Sequence, residues 1–170
     1  MRNHGSWGAQ FDAYAMFLTQ EAFAEFNLDK LEWEQLKEKQ KKEKDEKQKA
    51  DSVSKDKSKK ETKSKEIEPL KIDINSIDNR KVKLTINSSS LSDALLIPSG
   101  EKLYYLSSFE KGHDLWVTNL KDKETKLLVK IDGYAGNLSI DKDQKNLFLL
   151  SNGSLMKIEI SNNKLSTIKF

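Results

Sequence analysis

The chain has 170 residues, 30 Lys and Arg against 27 Asp and Glu for a net charge of +3, and only 36% hydrophobic residues. With no cysteine, it offers neither a disulfide nor a thiolate metal ligand, and its redox compartment stays open. No stretch approaches the about 20 apolar residues of a membrane span, and the opening MRNHGSWGAQFDAYAMFL lacks the basic region and sustained apolar run of a secretory leader.

Residues 11–18, FDAYAMFL, are apolar and aromatic and too short a run for a helix, which predicts a buried strand. Asp29, with Glu32 three residues later, reads as an N-cap and its capping-box partner, and Leu28, Leu31, Trp33 and Leu36 give the helix that follows an apolar stripe. Past Leu36 the stripe ends: between Lys37 and Glu66 there are 13 lysines and 8 acids, with Val53 the one sizeable apolar residue. No face of this arm can be buried. Its first half has good helix formers with opposite charges four apart, Glu38 with Lys42 and Glu43 with Lys47, whereas the Ser-rich second half reads as disordered.

From Ile67 the pattern changes to short β-type runs: PLKIDI, RKVKLTI, LSDALLI, KLYYLSS, HDLWVTNL, TKLLVKI, GNLSI, KNLFLL, SLMKIEI and KLSTIKF. Turn chemistry separates them, at Pro98-Ser99-Gly100, Lys111-Gly112 and Asn152-Gly153, so antiparallel neighbours joined by hairpins are expected. These runs also repeat. LLIPSGEKLYYLSS aligns with SIDKDQKNLFLLSN, Leu103 over Leu147 at a shift of 44, and DLWVTNL aligns with SLMKIEI, Leu115 over Leu155 at a shift of 40. FDAYAMFL echoes HDLWVTNL, Asp12 over Asp114 and Tyr14 over Trp116.

A period of about 40 to 45 residues with four short strands is the size of one β-propeller blade, a small sheet that buries its faces only against its neighbours; a β-sandwich is the rival architecture. The reading is all-β: a partial β-propeller of two to three four-stranded antiparallel blades with an inserted charged α-helix and a disordered Lys-rich arm. Residues 1–19 are the end of a blade, 20–66 the inserted helix and low-complexity arm, and 67–170 the completion of that blade followed by about two more. Closed propellers have about four to eight blades, so the ring does not close within this chain and its open edges need cover from elsewhere.

The order FDAYAMFLTQEAF, lysine-rich insertion, PLKIDINSIDNRKVKLT, LSDALLIPSGEKLYYLSSFEKGHDLWVTNLKDKETKLL resembles the propeller region of bacterial tricorn-type serine proteases. In that family the propellers precede a PDZ module and a peptidase core in which a serine nucleophile works with histidine, a second serine and glutamate. The resemblance implies a non-catalytic scaffold that gates peptides for a parent peptidase. It further implies the rest of that parent as partner, a cytoplasmic or periplasmic location, and a possible homo-oligomer of the whole. Ile97 and Ser99 replace the usual Ser and Asp of the blade motif, and Gln144 stands where Gly is usual. The alternative is a TolB-like propeller that binds protein partners with no protease attached.

Nothing in the residues assembles a catalytic site. The two histidines are His4 and His113; His113 beside Asp114 is half a triad at most, and the simpler account is a blade turn in which Asp114 accepts backbone hydrogen bonds. SIDKDQKN lacks the Gly and terminal Glu of an EF-hand loop, and Gly100, Gly112, Gly133, Gly136 and Gly153 are isolated turn residues, not a phosphate loop. No catalytic, cofactor-binding or metal residue is assigned and no cofactor is expected. Acids interspersed among the arm's lysines argue against nucleic acid as a partner. Tyr104, Tyr105, Phe109, Trp116 and Phe148 are read as packing between blades, with a peptide channel as the other possibility.

Overall fold

A computed structural model describes residues 10–53, 69–108 and 112–168. In chain order its elements are β1 (Tyr14–Met16), α1 (Gln20–Asn27), α2 (Lys30–Val53), a 3-10 turn (Ile77–Arg80), β2 (Lys81–Lys83), β3 (Ser90–Leu96), β4 (Lys102–Ser108) and β5 (His113–Asn119). They continue with β6 (Glu124–Gly133), β7 (Ala135–Ile140), β8 (Asn146–Ser151), β9 (Ser154–Glu159) and β10 (Lys164–Thr167). The fold is mostly β, with three antiparallel sheets of two to four strands beside two helices. The chain divides into two compact units, Met16–Arg80 and the remainder, Met1–Ala15 with Lys81–Phe170.

In the unit Met16–Arg80, local capping starts each helix. Thr19 is extended and its hydroxyl accepts from Ala22 N at 3.2 Å, which satisfies one of the first-turn N–H groups of α1; Gln20 N donates to the Asp73 carboxylate at 3.0 Å. At α2 the capping box forms as expected: Glu32 N donates to Asp29 Oδ1 at 2.8 Å and Asp29 N to Glu32 Oε2 at 3.4 Å. Phe17 packs against Phe26 and Phe23, ring centroids 4.8 and 5.8 Å away. The chain past the arm is held by Arg80, 2% exposed. Its guanidinium donates to the carbonyls of Phe17 (3.0 Å), Asn75 (2.9 Å), Leu18 (3.4 Å) and Asp73. Four carbonyl dipoles thus replace the water that a buried guanidinium gives up.

The other unit holds two consecutive four-stranded meanders, in spatial order β3-β4-β5-β6 and β10-β9-β8-β7, and the sequence repeat is reproduced in their hydrogen-bond register. Leu103 pairs with Leu96 and Thr118 on the second strand of its sheet; Leu147 pairs with Ile140 and Ile158 on the second strand of the next. The connecting turns repeat bond for bond. Ile97 N donates to Lys102 O and Gly100 N to Ile97 O, as Asp141 N donates to Asn146 O and Gln144 N to Asp141 O. Leu120 N reaches Glu101 O as Ile160 N reaches Lys145 O. Even the left-handed residues coincide, Gly100 (φ 71) with Gln144 (φ 56) and Lys123 (φ 53) with Asn163 (φ 57). Asn152 and Gly153, at φ 47 and 77, form the two-residue hairpin their identities foretell.

A shorter ribbon of β1 and β2 precedes these sheets. The bridge Phe11↔Ser89 matches the pair His113↔Gly133, which places Phe11 and Asp12 where His113 and Asp114 lie in the third strand of the next sheet.

Alternation decides what is buried between the meanders. Tyr104, Leu106 and Leu115 from the first sheet cluster with Ala135, Leu138, Leu147, Leu149 and Ile158 from the second. Leu106, Leu115, Ala135, Leu147, Leu149 and Ile158 are 0% exposed. At about 25 cal/mol per Å² of apolar surface removed from water, this layer is the main stabilising term of the unit.

Three expectations need correction. PLKIDI forms no strand: the described residues from Pro69 to Ile74 lie outside every helix and strand, and Leu70 and Ile74 are 75% and 78% exposed. Its alternation satisfied the strand pattern, but Asp73 N bonds to Leu18 O and Gln20 N to the Asp73 side chain, so no ladder forms. The strand expected over residues 11–18 shrinks to Tyr14–Met16. The inserted helix, expected to begin at Asp29 within residues 20–66, is preceded by a separate one: Gln20–Asn27 form α1, with Thr19 as its N-cap. Of the Ser-rich half of the lysine arm, residues 51–53 end α2, and residues 54–66 lie outside the described residues.

Candidate functional site

His113 opens β5, and its ring meets Tyr134 edge-on with centroids 5.3 Å apart. The neighbouring Asp114 carboxylate accepts from Ile131 N at 3.0 Å. This is the turn-and-strand role, in which a side-chain acceptor satisfies a backbone N–H where the β5–β6 register shifts. His4 and Phe109 lie outside the described residues.

Asp12 is held by three side chains. Thr85 Oγ1 donates to its Oδ1 at 2.7 Å, Ser88 Oγ to its Oδ2 at 2.9 Å, and Lys83 Nζ sits 3.0 Å away. The Thr85 hydrogen bond, with Lys83 and Ser88, holds the Asp12 carboxyl below its ordinary value against the opposing effect of burial. A carboxylate so stabilised is a poor base, so the cluster ties the chain at Asp12 to the chain at 83–88.

Asp141 opens the loop DKDQKN. Burial acts to raise its carboxyl, but bonds from Asn146 N, the Asn146 side chain and Lys145 N outweigh it and the value falls. Its acceptors are thus spent on its own turn, and no group of three or more His, Cys, Asp or Glu among the described residues could hold a metal ion. Among those residues no helix is long and apolar enough to cross a membrane.

Tyr104 and Tyr105 are 3% and 1% exposed, and burial raises the Tyr104 phenol above its ordinary value. Trp116 and Phe148 are half-buried. One open cleft is lined by Gln20, Ile72, Asp73, Ile74, Asn75 and Arg80, where the Arg80 and Asp73 side chains are already committed to backbone partners. A second is lined by Gln144, Lys145, Asn146, Glu159, Ile160 and Ser161 and contains no nucleophile paired with a base.

The arrangement with the clearest design is the junction between the meanders, which sequence reasoning did not single out. Ser92 Oγ donates to Ala135 O at 2.7 Å, and Asp93 Oδ2 accepts from Leu138 N at 2.7 Å. Both strands carry a register shift there, between Leu91 and Asp93 on β3 and between Gly136 and Ser139 on β7. Bulges free backbone groups from the ladder and re-aim side chains, and here Leu138, inside the β7 bulge, gives its N–H to Asp93 of β3. The site therefore fixes how one small sheet sits on the next. Ser107 adds a contact to Ser89. At the shift of 44 their counterparts are Ser151 and Gly133, which has no hydroxyl, and the buried Ser151 Oγ has no hydrogen-bond partner among the described residues.

No protein-family profile matches the chain, and no curated protein matches it. Among solved structures it is similar to the crystal structure of the tricorn protease, with a TM-score of 0.46, 17% identity, and coverage of 54% of this chain and 9% of that chain. The likeness is one of backbone arrangement and carries nothing about activity.

Proposed function

We propose that this chain is a non-catalytic β-propeller segment of a tricorn-like serine peptidase, a scaffold that gates peptide substrates for a peptidase core elsewhere in the parent. The observation that carries the architectural half is the bond-for-bond recurrence of turn and register at shifts of 44 and 40 in two stacked four-stranded meanders. A sheet this small is stable only against a sibling, which is the logic of propeller blades. The β1–β2 ribbon then supplies the outer strands of a preceding blade, with Met16–Arg80 inserted between them. The functional half rests on the ordered sequence resemblance described above, and its partners are the further blades, the PDZ module and the peptidase core of the parent.

The test compares the 170-residue chain with the polypeptide extended by its flanking coding sequence, both assayed on unstructured peptides with and without a serine-directed inhibitor. The proposal expects inhibitor-sensitive cleavage by the extended protein and none by the chain alone. Inhibitor-sensitive turnover by the chain alone would overturn it, as would an extension that carries only more blades and a stop, the TolB-like outcome.

A further inference from the structure

Residues 69–74, PLKIDI, alternate as a strand does, yet one backbone edge of the segment is open. Asp73 N donates to Leu18 O, and the carbonyls of Asp73 and Asn75 accept from the Arg80 guanidinium. In an extended chain the N–H and C=O of one residue leave by the same edge, and successive residues alternate between the two edges. Asp73 and Asn75 therefore turn inward, while Leu70, Ile72 and Ile74 turn their backbone groups outward. Leu70 and Ile72 make no hydrogen bond among the described residues. Of the outer groups, Ile74 O alone is used there, by Ile77 N at 3.3 Å. The side chains of Leu70, Ile72 and Ile74 are 75%, 48% and 78% exposed. An open edge that carries apolar side chains is a template for another strand.

The order of side chains specifies which strand. Laid antiparallel on itself about Ile72, the segment sets Leu70 opposite Ile74, Ile72 opposite Ile72, and Lys71 opposite Asp73. Every apolar residue then meets an apolar one, and both charged pairs are of opposite sign. Edge geometry selects the same register: an axis at Ile72 makes 70, 72 and 74 the hydrogen-bonded positions, which are the ones that face out. A slip of two residues in either direction keeps those edges paired but sets Asp73 on Asp73 or Lys71 on Lys71, which is repulsive. Lys71 reaches Glu21 within its own chain at 3.6 Å, and both side chains are mostly exposed, so that pair is too weak to hold it. We infer that residues 69–74 are half of a self-complementary interface: two copies of this chain join by antiparallel pairing of PLKIDI about a two-fold axis at Ile72. Two six-residue strands bury less than a standard interface, so the dissociation constant is on the order of 0.1 mM. The contact depends on neither the blades nor a peptidase.

Sedimentation equilibrium and hydrogen exchange on the 170-residue chain, from about 1 μM to about 1 mM, test the pairing. The chain should be monomeric at the low end and mostly dimeric at the high end, where the amides of Leu70, Ile72 and Ile74 gain about fivefold protection. Ile72→Pro removes the central donor, and its fixed φ suits an extended chain. That variant should fold and stay monomeric throughout. Lys71→Asp and Asp73→Lys each set like charges opposite one another, so each should weaken self-pairing by about tenfold or more. Their equimolar mixture restores two opposite-charge pairs and should associate about as tightly as the parent chain. Asp73→Lys gives up the bond from Gln20 N; should it fail to fold, Lys71→Asp and Ile72→Pro still decide the matter. A chain that is monomeric at about 1 mM, or a dimer indifferent to Ile72→Pro or to Lys71→Asp, overturns the inference. So do outer amides already protected at about 1 μM, which would put another segment of the chain on this edge.

Discussion

Replacing Asp93 with alanine removes a carboxylate that crosses between the meanders. Its Oδ2 accepts from Leu138 N at 2.7 Å and its Oδ1 from Ala94 N at 2.8 Å. Leu138 is 8% exposed, so its N–H is stranded once the acceptor is gone. A hydrogen bond to a charged group contributes about 1.5–3 kcal/mol, and a buried donor left without a partner costs about 1–3 kcal/mol, two views of one loss that are not summed. The expected destabilisation is about 2–3 kcal/mol, which for a unit of this size lowers the melting temperature by about 10 °C or more. Asp93→Asn leaves one acceptor oxygen for the two N–H groups of Ala94 and Leu138 and turns an NH2 donor toward the other, so a loss of about 1–3 kcal/mol, close to that of the alanine variant, is expected. Urea titrations followed by circular dichroism give the two free energies, and hydrogen exchange at Leu138 reports the bond itself. A change under about 0.5 kcal/mol in the alanine variant, or an undiminished Leu138 amide, refutes the role assigned to this carboxylate.

Arg80→Lys keeps the charge but exchanges a planar five-donor fork for a compact ammonium, so at least one of the carbonyls at Phe17, Leu18, Asp73 and Asn75 loses its donor; about 2 kcal/mol of local stability should vanish, seen as faster hydrogen exchange across residues 72–80 with the meanders unaffected. Gln144→Gly relieves a non-glycine residue at φ 56 in a turn whose counterpart is Gly100, and thermal melts should show a gain of about 0.5–1 kcal/mol. Asp12 has a folded pKa below its ordinary 3.8. Its stabilising contribution is therefore full above that value and is lost as pH falls through the lower folded one. Urea midpoints at about pH 5 and about pH 3 should differ less in Asp12→Asn than in the parent chain, and equal differences would contradict the bonding described.

The elements legible in the sequence were those whose information is local and periodic. Asn152-Gly153, the capping box of Asp29 and Glu32, and the repeat that superposes Leu103 on Leu147 each specify geometry within a few residues or by recurrence. PLKIDI misled because alternation is necessary for a half-buried strand but does not supply a ladder partner; Arg80 and Asp73 organise that segment from positions that no short-range pattern links. The Ser92 and Asp93 contacts to β7 were invisible for the same reason. They join residues 43 and 45 apart, and their meaning depends on a bulge in each strand. Gln144 departs from the motif at a position whose left-handed φ of 56 glycine fits better. Asp114 beside His113, read from the sequence as an acceptor of backbone hydrogen bonds, takes the Ile131 N–H.

Two small sheets of matching register, stacked face to face, are the basis of the fold of residues 90–167. Methyl and amide NOE spectroscopy on the isotopically labelled chain tests this directly. It should link Leu103 with Leu96 and Thr118, and Leu147 with Ile140 and Ile158, while the methyls of Leu106 and Leu115 fall in one network with those of Leu147, Leu149 and Ile158. Backbone contacts that run Leu103 and Leu147 into a single continuous sheet, or a Leu106 environment without residues of β7 to β9, would contradict it.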